Sequence, residues 1–123
     1  IKGDIPSYTI YEDDIVKVFL DVNPMSPGHM LIIPKKHFEN LDDIDIDTLT
    51  HINEIAKKMH ILLKEKLNID GMSIIQNNGD VQEVKHYHMH LKPYYKDNVS
   101  IKLIKNEKAI DNVENVYKKL KED

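Results

Sequence analysis

Between Ile46 and Leu67 apolar residues fall at Ile46, Leu49, Ile52, Ile55, Ala56, Met59, Leu62, Leu63 and Leu67. This is the three-and-four spacing of one helix face, and lysines fill the opposite one. Asp45, just before the run, has the side chain an N-cap needs. A helix of that length must bury its apolar stripe against something. The flanking segments have the alternating period of strands, so a sheet is the natural partner.

"YTIYEDDIVKVFLDV" (8–22) reads as two strands around the polar break Glu12-Asp13-Asp14. "NPMSPGH" (23–29) is a loop, and "MLIIP" (30–34) is a short buried strand closed by Pro34. After the helix come a strand in "GMSIIQ" (71–76), a turn at "NNGD" (77–80), and the alternating "VKHYHMHLK" (84–92), which ends before Pro93. Ile110, Val113, Val116, Tyr117 and Leu120 mark a second amphipathic helix over about 109–121. The order β-β-β-α-β-β-α with short connections predicts an α+β fold, a single domain over 1–123. Its antiparallel sheet has about five strands, with one long helix across it and a C-terminal helix.

Composition narrows the function. The net charge of −4 argues against a protein that coats nucleic acid, and no nucleic-acid partner is expected. All 17 basic residues are lysines, so anions must be held by lysine, histidine or backbone N–H groups. The absence of cysteine excludes a disulfide framework. No apolar run approaches the ~20 residues of a membrane span, so no membrane partner and a cytoplasmic location are expected. The sequence opens on Ile1, and a short leading segment is expected to precede it.

Three of the 7 histidines lie in "HYHMHLKP" (86–93). On a strand, His86, His88 and His90 share one face and Tyr87, Met89 and Leu91 the other. One strand histidine is usually unremarkable, but three in register are hard to ascribe to chance. Such a row suits zinc ligation by neutral imidazoles. It suits equally a nucleophilic imidazole whose neighbours fix its tautomer, as in phosphoryl or nucleotidyl transfer.

"HYHMHLKP" resembles the motif of the histidine triad (HIT) family, His-φ-His-φ-His-φ-φ, where φ is apolar. "YEDDIVKVFLDVNPMSPGHMLIIPKKHFENL" (11–41) is similar to the family's amino-terminal block, and "IIQNNGDVQEVKH" (74–86) to the lead-in before the triad. The resemblance spans roughly residues 8–95. It implies a HIT-like fold and a nucleotide hydrolase acting at the α-phosphate of a nucleoside conjugate through a nucleotidyl-histidine. His88 falls on the nucleophile, with His86 and His90 orienting it and touching the phosphate or leaving group. His37 falls on a fourth histidine beside the site. Asp21 matches the acid that accepts the ribose hydroxyls, and Phe19, Leu20 and Val22 flank the base, although strand parity turns some of them to the core. Asn77 and Gln82 match polar residues near the sugar-phosphate. The implied ligand is a purine nucleotide or nucleoside conjugate, such as a phosphoramidate, and the implied assembly is a homodimer that pairs the long helix and extends the sheet. Cleavage of diadenosine polyphosphates and nucleotide sensing with little turnover are the alternatives.

Some positions depart from the family pattern. Glu83 stands where Ser or Thr is common, Val81 where glycine often precedes the glutamine, and Lys92 where the last motif residue is usually apolar. If the strand already runs at Glu83, parity turns its carboxylate away from the histidines. The Cys-x-x-Cys of many bacterial members has no counterpart in this sequence, and neither a metal nor another cofactor is expected. His29, His51 and His60 are assigned structural or surface roles.

Overall fold

The structure is a computed structural model that describes residues 8–97, 104–110 and 112–122, Ile110 by its backbone alone. Five strands form one antiparallel sheet: β1 (Thr9–Glu12), β2 (Val16–Leu20), β3 (Met30–Pro34), β4 (Gly71–Ile75) and β5 (Met89–Tyr94), in the order β1-β2-β3-β5-β4. The long helix α1 (Ile46–Leu67) has the bounds expected from its periodicity. Asp45 caps it, its carboxylate accepting from the Thr48 N–H at 3.0 Å, which contributes about 1 kcal/mol. Asn68 ends it in the left-handed region, φ 54°.

Alternation gives the sheet two unlike faces. Val16, Val18, Met30, Ile32, Met89 and Leu91 point to α1 and pack on Ile52, Ile55, Ala56, Met59 and Leu63, all buried. Phe19, Leu31, Ile33, His90 and Lys92 occupy the other face, where none of the described helices covers them, and remain half-buried. Ile52, Met59 and Leu63 are thus consumed by the chain's own core, so this stripe of α1 is not free to pair with a second copy.

The strand expected over 84–92 is shifted: β5 begins at Met89 and runs through Pro93 to Tyr94. The β3–β5 rungs are Met30↔Leu91, Leu31↔His90 and Ile32↔Met89. Continuing the ladder would bring Tyr87 opposite Pro34, which has no N–H to donate. At the other end β3 pairing has stopped before Pro93, whose missing N–H therefore breaks no rung on that side. The Ser26 hydroxyl donates to the Pro93 carbonyl at 2.7 Å and fastens the 23–29 loop there. Gly28 in that loop has φ 91°, and a Cβ would lie 2.7 Å from the Leu67 Cδ1, so the close approach to α1 requires glycine.

The turn expected at 77–80 holds a short 3-10 turn over Gly79–Val81. The C-terminal helix comes in two pieces, α2 (Glu107–Ile110) and α3 (Val113–Lys121), rather than one over 109–121. The apolar residues Val113, Val116, Tyr117 and Leu120 are all exposed. No helix among the described residues is long and apolar enough to cross a membrane.

Candidate active site

His86 and His88 precede β5, yet their positions are well determined by contacts other than the ladder. The Tyr87 N–H donates to the Phe38 carbonyl at 2.7 Å, and the buried Tyr87 ring anchors the segment in the core. The His86 Nε2–H donates to the Pro34 carbonyl at 3.0 Å, using an acceptor just past the last β3–β5 rung. A cleft of about 570 Å³ opens over this side of the sheet, lined by His86, His88, His90, His29, Asp21 and Phe19 among others.

Hydrogen bonds assign the tautomers. The His88 Nδ1 lies 2.7 Å from the His86 carbonyl, which can only accept. Nδ1 therefore carries the proton, and Nε2 keeps its lone pair. Both ring nitrogens of His86 are occupied: Nε2–H by Pro34, and Nδ1 by the His37 Nδ1–H at 2.9 Å. His86 thus acts on His88 through its main chain.

A second chain of bonds sets His90. The Met25 N–H donates to the His29 Nδ1 at 3.0 Å, so the His29 Nε2 bears the proton. That Nε2–H donates to the His90 Nδ1 at 3.0 Å, leaving the His90 Nε2–H as a free donor. The His88 and His90 rings stand edge to face, 5.0 Å between centroids. In these tautomers the acceptor nitrogen of His88 and the donor nitrogen of His90 belong to adjacent rings.

Burial pushes the His90 pKa down to about 4, with the neighbouring His88, His29 and Lys92 adding to the shift. Burial likewise lowers His29, partly offset by Asp21, and lowers His86. A histidine depressed on folding binds its proton more readily when unfolded, so stability rises with pH through that window. The denaturant midpoint is expected to fall as pH drops from the ordinary 6.5 towards about 4, with a shallower dependence in His90→Asn. An identical slope in the variant would refute the assignment. Asp13 acts lower on the scale. Burial would raise it, but the Val16 N–H, His51, the Ile15 N–H and the Tyr11 hydroxyl together hold it far below the carboxylate range.

Several expected site residues lie elsewhere. His37 is exposed and bonds to His86 outside the cleft lining, whereas His29, 3% exposed and 3.6 Å from the Asp21 carboxylate, lines the cleft against His90. The Gly-His step that ends the loop carried this signal, because β2–β3 pairing continues from it through the Asp21 N–H to the His29 carbonyl at 2.9 Å. Asp21 lines the cleft, with Oδ1 accepting from the Asn23 N–H at 2.8 Å and Oδ2 turned to His29. Phe19 lines it as well, while Leu20 packs against the core as parity requires and Val22 is exposed outside the lining. Asn77 reaches the cleft. Gln82 does not: it is buried, donating to the Glu39 carbonyl and accepting from Asn40, and it ties down the 38–44 loop.

Glu83 precedes β5, so strand parity does not apply to it, and it lines the cleft with the histidines. His51 is a tie rather than a free surface residue, its Nε2 2.7 Å from Asp13. Asp21, His29 and His90 present donor atoms within 4.8 Å of one another, but the His29–His90 contact has the length of a hydrogen bond and is satisfied as one.

The comparison with known proteins agrees with this geometry. Residues 2–97 match the HIT domain. The chain belongs to the HIT family. An uncharacterised HIT-like protein of Methanocaldococcus jannaschii is 41% identical over 123 residues, covering 98% of this chain and 94% of its own. The adenosine 5′-monophosphoramidase of Saccharomyces cerevisiae is 42% identical over 95 residues, covering 76% of this chain and 58% of its own. The crystal structure of a HIT family member from Bacillus subtilis superposes with a TM-score of 0.84 at 31% identity, over 96% of this chain and 88% of that one. The five-stranded sheet and long helix are the HIT fold.

Proposed function

We propose that this protein hydrolyses nucleoside phosphoramidates or related nucleotide conjugates at the α-phosphate, through a nucleotide carried on His88. One observation carries the reading: the His88 Nδ1–H is held on the His86 carbonyl, so in this tautomer Nε2 is the nitrogen with the lone pair, on a ring that lines the cleft. An imidazole nitrogen held in this way is a nucleophile at neutral pH without a separate base. The name of the yeast relative, which shares 42% of 95 residues, supports the same chemistry.

In the first step the His88 Nε2 bonds to phosphorus, the bond from phosphorus to the leaving group breaks, and a leaving amine takes up one proton from solvent water. The imidazolium that forms keeps its Nδ1–H on the His86 carbonyl, which stabilises the positive charge. In the second step water adds to phosphorus, the Nε2–phosphorus bond breaks, and one proton is returned as the nucleoside monophosphate leaves. The His90 Nε2–H hydrogen-bonds a phosphoryl oxygen in both steps. At a pKa of about 4 this ring serves as a neutral donor rather than as an acid.

Asp21 Oδ2 takes the ribose hydroxyls, Phe19 and Leu31 offer apolar surface to a purine base, and Asn77 sits beside the sugar-phosphate. Glu83 places a carboxylate in the same cleft and so disfavours a polyphosphate leaving group, which makes an amine the better fit. The assembly in this reading is a homodimer. Its support is the edge strand β4, whose Ile74 is 51% exposed, and the apolar residues of α3 that the described fold leaves uncovered.

Intact-protein mass spectrometry after brief mixing with adenosine 5′-phosphoramidate in excess chelator, with chromatography of released AMP, tests the proposal. A nucleotidyl adduct together with AMP release is expected. AMP binding without adduct or turnover would replace the hydrolase by a nucleotide sensor.

A further inference from the structure

Lys92 lies one alternation beyond His90 on β5 and so shares its open face. It pairs with Ser73 across the β4–β5 ladder, and two residues beyond the Leu31↔His90 rung the register of β3 brings it opposite His29. It is half-buried and lines the cleft. The other permanently charged residues lining that cleft are Asp21 and Glu83, both carboxylates. His29, His86 and His90, each depressed by burial, are neutral at pH 7. The sequence has no arginine to contribute. Lys92 is therefore the one permanent cation lining the cleft among the described residues, and none of the ion pairs of the described residues involves it. Without it, an entering phosphate would meet two carboxylates and neutral rings.

We propose that Lys92 is the phosphate-binding cation of this cleft, its ammonium meeting the phosphoryl oxygens of a nucleotide seated over His88 and His90. A lysine stem spans about one alternation of a strand, ~6.5–7 Å, long enough for the ammonium to meet phosphoryl oxygens held at His90. The inference rests on the nucleotide reading above and adds to it the source of the charge. It also gives the lysine a use at a position where an apolar residue would serve the fold as well, because this face of β5 is not the one that packs on α1.

Calorimetric titration of wild type, Lys92→Met and Lys92→Arg with AMP and with adenosine tests it. Methionine keeps the volume of the stem and removes the charge. AMP is expected to bind Lys92→Met about tenfold more weakly, with Lys92→Arg close to wild type and adenosine unchanged within about twofold throughout. The salt dependence of AMP binding is expected to flatten in Lys92→Met. Unchanged AMP affinity in Lys92→Met, or parallel weakening of AMP and adenosine, would overturn the role of the charge. If wild type itself binds AMP no better than adenosine, the nucleotide reading falls first, and Lys92 with it.

Discussion

His88→Ala is expected to lower kcat for adenosine 5′-phosphoramidate by at least about a thousandfold while AMP binding changes by less than about threefold. Removing a nucleophile takes away the bond-forming atom but few contacts to a bound nucleotide. The remaining site still has Asp21, Phe19, Lys92 and the His90 donor. His86→Ala should behave differently although it is only two residues away. The His86 carbonyl that fixes the His88 tautomer belongs to the backbone and survives the substitution. What is lost are the Nε2–H bond to Pro34 and the Nδ1 acceptor for His37, so His88 becomes less well positioned, and a fall of roughly ten- to a hundredfold is expected. Steady-state kinetics and calorimetry on both variants separate the roles. Equal losses in the two would mean that the imidazole of His86, not its carbonyl, acts on the substrate, and more than about 1% residual turnover in His88→Ala would remove the covalent mechanism.

Periodicity made the scaffold legible because it is written locally. The three-and-four spacing of 46–67 and the cap at Asp45 define α1, and the alternation of Val16, Val18, Met30 and Ile32 defines the face it covers. The row of histidines was equally plain, since Met89 and Leu91 must be buried if His88 and His90 are to be open. What could not be read was the part set by contacts distant in sequence. His29 and His37 stand in similar surroundings in the sequence, each at one end of the same short strand. The antiparallel register of β3 on β5 puts His29 beside His90 and leaves His37 to meet His86 at the exposed end. The place of Glu83 turns on a related contact. Parity would turn it away from the histidines only on a strand, and β5 does not reach back to it, because Pro34 stops the β3 ladder first. Gln82 is polar and near the triad in sequence, yet the Glu39 carbonyl and the Asn40 side chain of the 38–44 loop claim its amide.

The distinction between His29 and His37 has a large experimental consequence. His29→Ala removes the donor to the His90 Nδ1 and the acceptor for the Met25 N–H, at a position 3% exposed. Two part-buried polar groups lose their partners and a ring-sized space opens at a buried position, so a loss of roughly 2–3 kcal/mol in stability is expected. Turnover should fall about a hundredfold as well, because His90 no longer has a fixed tautomer and its Nε2–H is no longer held ready for the phosphoryl oxygen. His29→Gln offers an amide that can accept from one side and donate to the other. It should recover stability more fully than activity, since its geometry differs from that of an imidazole. His37→Ala is the control: its ring is exposed and its one hydrogen bond among the described residues is to His86, so less than about 1 kcal/mol and less than about fivefold in kcat are expected. Urea unfolding and steady-state kinetics on the three variants decide the matter. If His37→Ala were as costly as His29→Ala, the relay through His29 would not be what holds His90, and the histidine at the exposed end would have to be reconsidered as part of the catalytic machinery.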